Sequence, residues 1–213
     1  MQVEIWSDVV CPWCYLGKRR FEKALSSFPY AHDVDVVHRS FELDPLAKRG
    51  ETVATTTMLS RKYGMSVQQA VDAQRQMAER AAADGLVFDT DGQRSGSTHD
   101  AHRLLQLARG RGRQAELLET LFRAHFTRRR SIFDHDSLCA LAVEAGLDAA
   151  EAQAVLRGNA YDDAVDSDVS SARALGATGV PFFVIDRRFG ISGAQPAEVM
   201  SRALEQAWSA PPV

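Results

Sequence analysis

The chain has 213 residues, 45% of them hydrophobic, and a net charge of −3. That length holds one domain with a large core, or one domain carrying a sizeable insertion, and nothing in the slightly acidic total implies the basic face that nucleic-acid binding usually needs. No apolar run reaches membrane-spanning length, and Met1-Gln2-Val3-Glu4 lacks the basic start, apolar middle and cleavage site of a secretory signal, so the expectation is a cytoplasmic protein without nucleic-acid or membrane partners.

Residues 3–10 are β-rich and partly alternating, and read as a strand. Cys11-Pro12-Trp13-Cys14 follows. Cys14, Gly17, Phe21, Ala24, Leu25 and Phe28 then recur at helical spacing until Pro29. Cys11 therefore stands at a strand-to-helix junction. Residues 35–41 predict a second strand, closed by Asp44-Pro45. From about 50 to 176 the pattern is helical throughout. One helix covers 66–84 and ends at Gly85. The next opens on Ser97-Thr98-His99-Asp100, read as a capping box with Asp in place of Glu. Further helices cover 113–127, a segment from Asp134 or Asp136 to Gly146, a segment from the box Asp148/Glu151 to Gly158, and 160–175. Residues 182–186 and 189–192 flank a short Arg-containing turn and predict a hairpin. Pro196 opens a last helix with Val199, Met200, Leu204 and Trp208 on one stripe, and the terminal Ala210-Pro211-Pro212-Val213 reads as frayed.

This order gives an α/β fold in two parts, 1–48 and 160–213, interrupted by a large all-helical insertion at 49–159. A CxxC pair at the first strand-to-helix junction of such a domain suggests a thioredoxin-like redox fold.

Three cysteines, Cys11, Cys14 and Cys139, are too few for a disulfide scaffold. Zinc wants about four ligands, and no second CxxC or convincing histidine pair completes a set, so no metal is expected. A redox dithiol remains. A helix N-terminus exposes unpaired N–H groups and partial positive charge, both of which favour a thiolate. Pro12 suits a first helical turn. Cys14 lies one turn on and begins the apolar stripe, so it should be the more buried thiol. Cys11 then attacks or is attacked, and Cys14 resolves the mixed disulfide. Val180-Pro181 precedes an apolar strand, where proline is tolerated; its cis or trans state is not legible from composition. Cys139, between Leu138 and Leu141, reads as a small hydrophobe with no redox role. The clusters Arg109/Arg111/Arg113 and Arg128–Arg130 read as helix-end charges, with docking of an anionic ligand as the sharper reading. Ser95–Thr98 read as loop plus N-cap, with substrate contact as the alternative.

Taken together, CPWC, SFELDP at 40–45, AHRLL at 101–105, GVPFFVID at 179–186 and SGAQ at 192–195 resemble the DsbA-like thioredoxin oxidoreductases, and within them the FrnE-like branch of cytoplasmic dithiol–disulfide proteins. The resemblance spans almost the whole chain. It implies that Cys11 and Cys14 are the redox pair and that Trp13, with Pro12, tunes it. It also implies that Pro181 is a cis-proline facing the pair and that the Val180 backbone receives a substrate strand. Two departures stand out. No cysteine follows Cys139 in the sequence, so no relay to a C-terminal pair is expected. The position of a first-strand buried carboxylate is Ile5, and Glu4 and Asp8 should alternate to the other face, which leaves Cys14 without an obvious proton partner.

The expected activity is thiol–disulfide exchange, in the reductase or isomerase direction. No cofactor is expected beyond the redox disulfide itself, with glutathione a candidate reductant. The substrate is a disulfide-containing protein or a small-molecule thiol, and the protein a monomer or homodimer. Two alternatives compete: a kappa-class glutathione transferase or 2-hydroxychromene-2-carboxylate isomerase, which typically has serine where Cys11 stands, and a non-catalytic chaperone or binding module using the groove beside Pro181.

Overall fold

The computed structural model describes residues 1–211; of the expected frayed end, Pro212 and Val213 lie outside them. The chain divides into two compact units, one of residues 1–43 with 166 onward, the other Asp44–Val165.

In the first unit, β1 (Gln2–Ser7) and β5 (Phe182–Ile185) form the middle of a four-stranded sheet ordered β2-β1-β5-β6, with β2 at Asp35–Ser40 and β6 at Phe189–Ser192. β1 runs parallel to β2 and antiparallel to β5, pairing Ile5 with His38 and with Phe183. The alternation of β1 divides its side chains. Val3 and Ile5 join Phe183 and Ile185 in a core with Phe21 and Ala24 of α1 (Pro12–Ser26) and Met200, Leu204 and Ala207 of α9 (Ala197–Ser209). Each large apolar side chain so buried contributes roughly 1.5–3 kcal/mol. Trp6 points to the opposite face, against Phe182, Val184 and Ala172 of α8 (Asp162–Ala174), and its indole N–H donates to Asp168 O at 2.8 Å. Glu4 shares that face. It is buried, and Arg39 and Arg187 hold its carboxylate.

The second unit is the helical region, with α2 (Thr55–Tyr63), α3 (Val67–Ala83), α4 (His99–Gly110), α5 (Gln114–Phe126), α6 (His135–Glu144) and α7 (Ala149–Arg157). Its core is leucine-rich: Leu104, Leu117, Leu121, Leu138 and Leu141 are fully buried. Ser66 and Gln69 form a reciprocal capping box at α3, and Asp148 caps α7 through the Glu151 N–H. Two details depart from expectation. A two-stranded antiparallel ribbon, β3 (Thr52–Ala54) with β4 (Arg94–Gly96), accompanies the helices. At Gly96 a Cβ would stand 2.6 Å from Glu51 O, just before β3. The capping box at 97–100 does not form. Thr98 occupies the cap position, Ser97 Oγ accepts the His99 N–H, and Asp100 instead meets the Arg103 guanidinium at 2.8 Å. A buried charge-assisted bond is the stronger claim on that carboxylate.

Five arginines of the two clusters pair with carboxylates. Arg111 pairs with Glu151, Arg113 with Glu116, Arg128 and Arg130 with Glu144, and Arg129 with Asp89. Ser95 shares a hydroxyl bond with Thr55, and the Cys139 thiol contacts Ala149 O at 3.8 Å.

Candidate active site

Cys11 is the N-cap of α1, in extended conformation and without a side-chain cap bond, and Pro12 opens the helix. The N–H groups of Cys14 and Tyr15 donate to Cys11 O at 3.0 and 3.3 Å, which closes the first turn of the helix directly after Cys11. Trp13 is 40% exposed. Cys11 is 5% and Cys14 1% exposed, and both thiols are free.

Val180 and Pro181 lie in the loop before β5, and the peptide bond between them is cis. The loop meets α1 directly. Cys11 Sγ lies 3.8 Å from Val180 O, and at Gly17 a Cβ would stand 2.8 Å from Pro181 Cγ. The structure therefore gathers Cys11, Cys14, Val180 and Pro181 at one end of α1, with Trp13 on the open side.

Burial pushes the Cys14 thiol well above the ordinary thiol range, and its hydrogen bond to Cys11 and the charge there push it further. Asp8 acts on Cys14 in two directions: its main-chain N–H favours the thiolate, whereas its carboxylate charge opposes it.

Asp8 is the residue that sequence reasoning misplaced. β1 ends at Ser7, and the chain turns before reaching Cys11. The alternation that would carry Asp8 to the far face stops one residue short of it. Its carboxylate is 1% exposed and accepts the Leu43 N–H at 2.8 Å, while its carbonyl accepts the Cys11 N–H at 3.0 Å. Cys14 thus has a carboxylate in electrostatic reach. The available signal was the short Asp8-to-Cys11 spacing, which a turn makes close.

His38 of β2, paired with Ile5, is buried, and burial together with the Lys18 charge lowers its pKa to about 3. Among the described residues, no group of three or more His, Cys, Asp and Glu could hold a metal ion, and no helix is long and apolar enough to cross a membrane.

A thiol pair at a helix start facing a cis-proline loop invites comparison with known proteins. The model of the DSBA-like thioredoxin domain matches residues 2–205. The chain belongs to the DsbA-like thioredoxin family. A probable DsbA oxidoreductase from Streptomyces coelicolor is 54% identical and superposes with a TM-score of 0.96, over 100% of this chain and 92% of that one. The cytosolic disulfide reductase DsbM from Pseudomonas aeruginosa, solved with glutathione, shares the fold at 21% identity and a TM-score of 0.64, over 99% of this chain and all of its own. The uncharacterized protein YwbO of Bacillus subtilis is 27% identical over 205 residues, 96% of each chain. The DsbA-like fold of this chain is one that carries thiol–disulfide oxidoreductases.

Proposed function

We propose that the protein is a thiol–disulfide oxidoreductase whose nucleophile is Cys11 and whose resolving thiol is Cys14, working in the reductase or isomerase direction. One observation carries the reading: two free thiols one helical turn apart differ in environment, with Cys14 sealed and held protonated and Cys11 at the helix N-cap beside the Val180 carbonyl. The Cys11 thiolate attacks a substrate disulfide R–S–S–R′. A Cys11–S–S–R bond forms, and R′–S⁻ leaves and is protonated by water. Cys14 gives its proton to the Asp8 carboxylate. The Cys14 thiolate attacks the Cys11 sulfur, closes the Cys11–Cys14 disulfide and expels R–S⁻, which takes up that proton. Two electrons have passed to the substrate. Two external thiols return them by exchange, leaving as their own disulfide.

Glutathione suits that last role; the DsbM complex with glutathione supports it. The SFELDP and SGAQ motifs argue for the FrnE-like branch, and a cytoplasmic setting favours reduction over oxidation. Trp13, exposed between the cysteines, meets the incoming substrate, and the cis Val180-Pro181 loop pairs with its backbone. A kappa-class transferase would want serine at position 11, where this chain has cysteine.

The test is a redox titration in glutathione buffers, scored by alkylation, with Cys11→Ser as control. The expected result is one two-electron transition, absent in the variant. A potential near about −270 mV marks a reductase and one near about −120 mV an oxidant. If no disulfide forms at any poise, the reading fails. If activity survives Cys11→Ser, a binding-module role takes its place.

A further inference from the structure

The turn Ser192–Gln195, after β6, plays no part in the chemistry above, yet it is tied to the active site from two sides. Gly193 donates its N–H to Pro181 O at 2.8 Å. The half-buried Arg20 of α1 donates from Nη1 to Ala194 O at 2.7 Å. Gln195 tightens the turn, with its N–H on Gly193 O and its side chain on Ser192 O. Arg20 lies three residues after Gly17, on the same side of α1, and Gly17 is where Pro181 rests against the helix. The connections close a ring: Arg20 to Ala194, Gly193 to Pro181, Pro181 to Gly17, and Gly17 back to Arg20.

The ring has a mechanical consequence. Pro181 is held from below by a helix position with no side chain and from the side by the Gly193 N–H. Its neighbour Val180 keeps its carbonyl 3.8 Å from Cys11 Sγ. Without the Arg20 bond, the turn loses a tie to α1, and the Pro181 loop leans more on the sheet side, through the pairing of Phe182 with Ser192. We propose that Arg20 is a positioning residue: acting through Ala194 and Gly193, it fixes the Val180-Pro181 loop at the distance from Cys11 that a peptide disulfide needs. The proposal rests on the exchange chemistry assigned to Cys11 and Cys14, and it specifies an extended peptide chain as the substrate that feels the loop. A small disulfide, with no backbone to pair, depends on the loop far less.

The full-length protein with Arg20→Met tests it, because methionine keeps the apolar stem and removes the donors. Arg20→Lys, which retains a donor, is the rescue. Three quantities are measured: the Cys11–Cys14 potential in glutathione buffers, the melting temperature, and KM and kcat for a disulfide-containing peptide and for hydroxyethyl disulfide. In Arg20→Met the peptide-to-small-disulfide ratio of kcat/KM is expected to fall about tenfold, within the range that an ångström of misplacement costs. The loss should lie mainly in KM, with the potential and melting temperature held, and Arg20→Lys should recover most of it. An unchanged ratio, or equal losses on both substrates, overturns the role of Arg20 while leaving the exchange chemistry standing. A wild-type protein with no two-electron transition overturns both.

Discussion

Asp8 exerts opposed effects on the thiol it faces. Its main-chain N–H favours a Cys14 thiolate and its carboxylate charge disfavours one. The two roles open to the carboxylate, bystander charge and proton acceptor, predict opposite signs for Asp8→Asn. As a bystander it only raises the barrier to ionising Cys14, so asparagine should speed the closing of the disulfide. As acceptor it removes the proton that burial keeps on Cys14, and asparagine should slow closing at neutral pH, by about a hundredfold on the usual scale of general-base catalysis. The expected outcome is the slowing, relieved as pH rises and hydroxide replaces the missing base. Decay of a mixed disulfide on Cys11, followed by quenched alkylation, reads it directly. Asparagine still offers an oxygen to the Leu43 N–H, so loss of the fold is not the expected cause of slowing.

At the scale of elements, α1 carries both the thiols and the seat for the loop that faces them. Gly17 makes the second task visible. On helix propensity alone Gly17→Ala stabilises by about 1 kcal/mol. Its Cβ would stand 2.8 Å from Pro181 Cγ and 3.4 Å from Phe183 Cζ, an overpacking that costs about 1–3 kcal/mol. The expected net effect is a melting temperature lowered by a few degrees, checked by thermal denaturation; a raised melting temperature would mean that the loop gives way freely. The stripe containing Gly17 was legible because its period is long and regular, and so were the β1–α1 junction, the 182–192 hairpin and the bounds of α3, α5 and α8 to within two residues. The ribbon of β3 and β4 was not, since three-residue strands show no alternation to read. Asp8 was missed for a related reason: a strand ending at Ser7 instead of Val10 changes the side on which everything after it emerges. Arg20 left no signal, because its partner is a main-chain carbonyl 174 residues away.

Over the whole molecule, each unit buries a polar side chain of its own, and the two should fail differently. In the helical unit Arg103 is fully buried, donating to the carbonyls of Val155 in the last turn of α7 and of Gly158 and Ala160 just after it, and pairing with Asp100 and Asp162. Arg103→Leu leaves those acceptors stranded and should cost about 3–5 kcal/mol, read by urea denaturation. In the unit that carries the thiols, the buried group is a neutral imidazole. His38 has its pKa lowered from 6.5 to about 3, by burial first and by Lys18 second. An unfolded chain protonates this residue below pH 6.5, whereas the folded chain resists until about pH 3, so the unfolded state binds more protons in between. The stability contributed by neutral His38 is complete above pH 6.5 and is lost as pH falls toward 3. Glu4 acts in a lower window. Burial raises it, but the bonds from Arg187 and Arg39 outweigh that and hold it below its usual 4.5, so its contribution is lost only below that value. Between pH 6.5 and 4.5 the slope of stability against pH therefore carries the His38 contribution without that of Glu4. His38→Leu should flatten this part of the profile by up to one proton and leave the steeper fall below pH 4.5 in place; urea midpoints taken across the range test it, and an unchanged slope would mean that His38 is protonated as readily folded as unfolded.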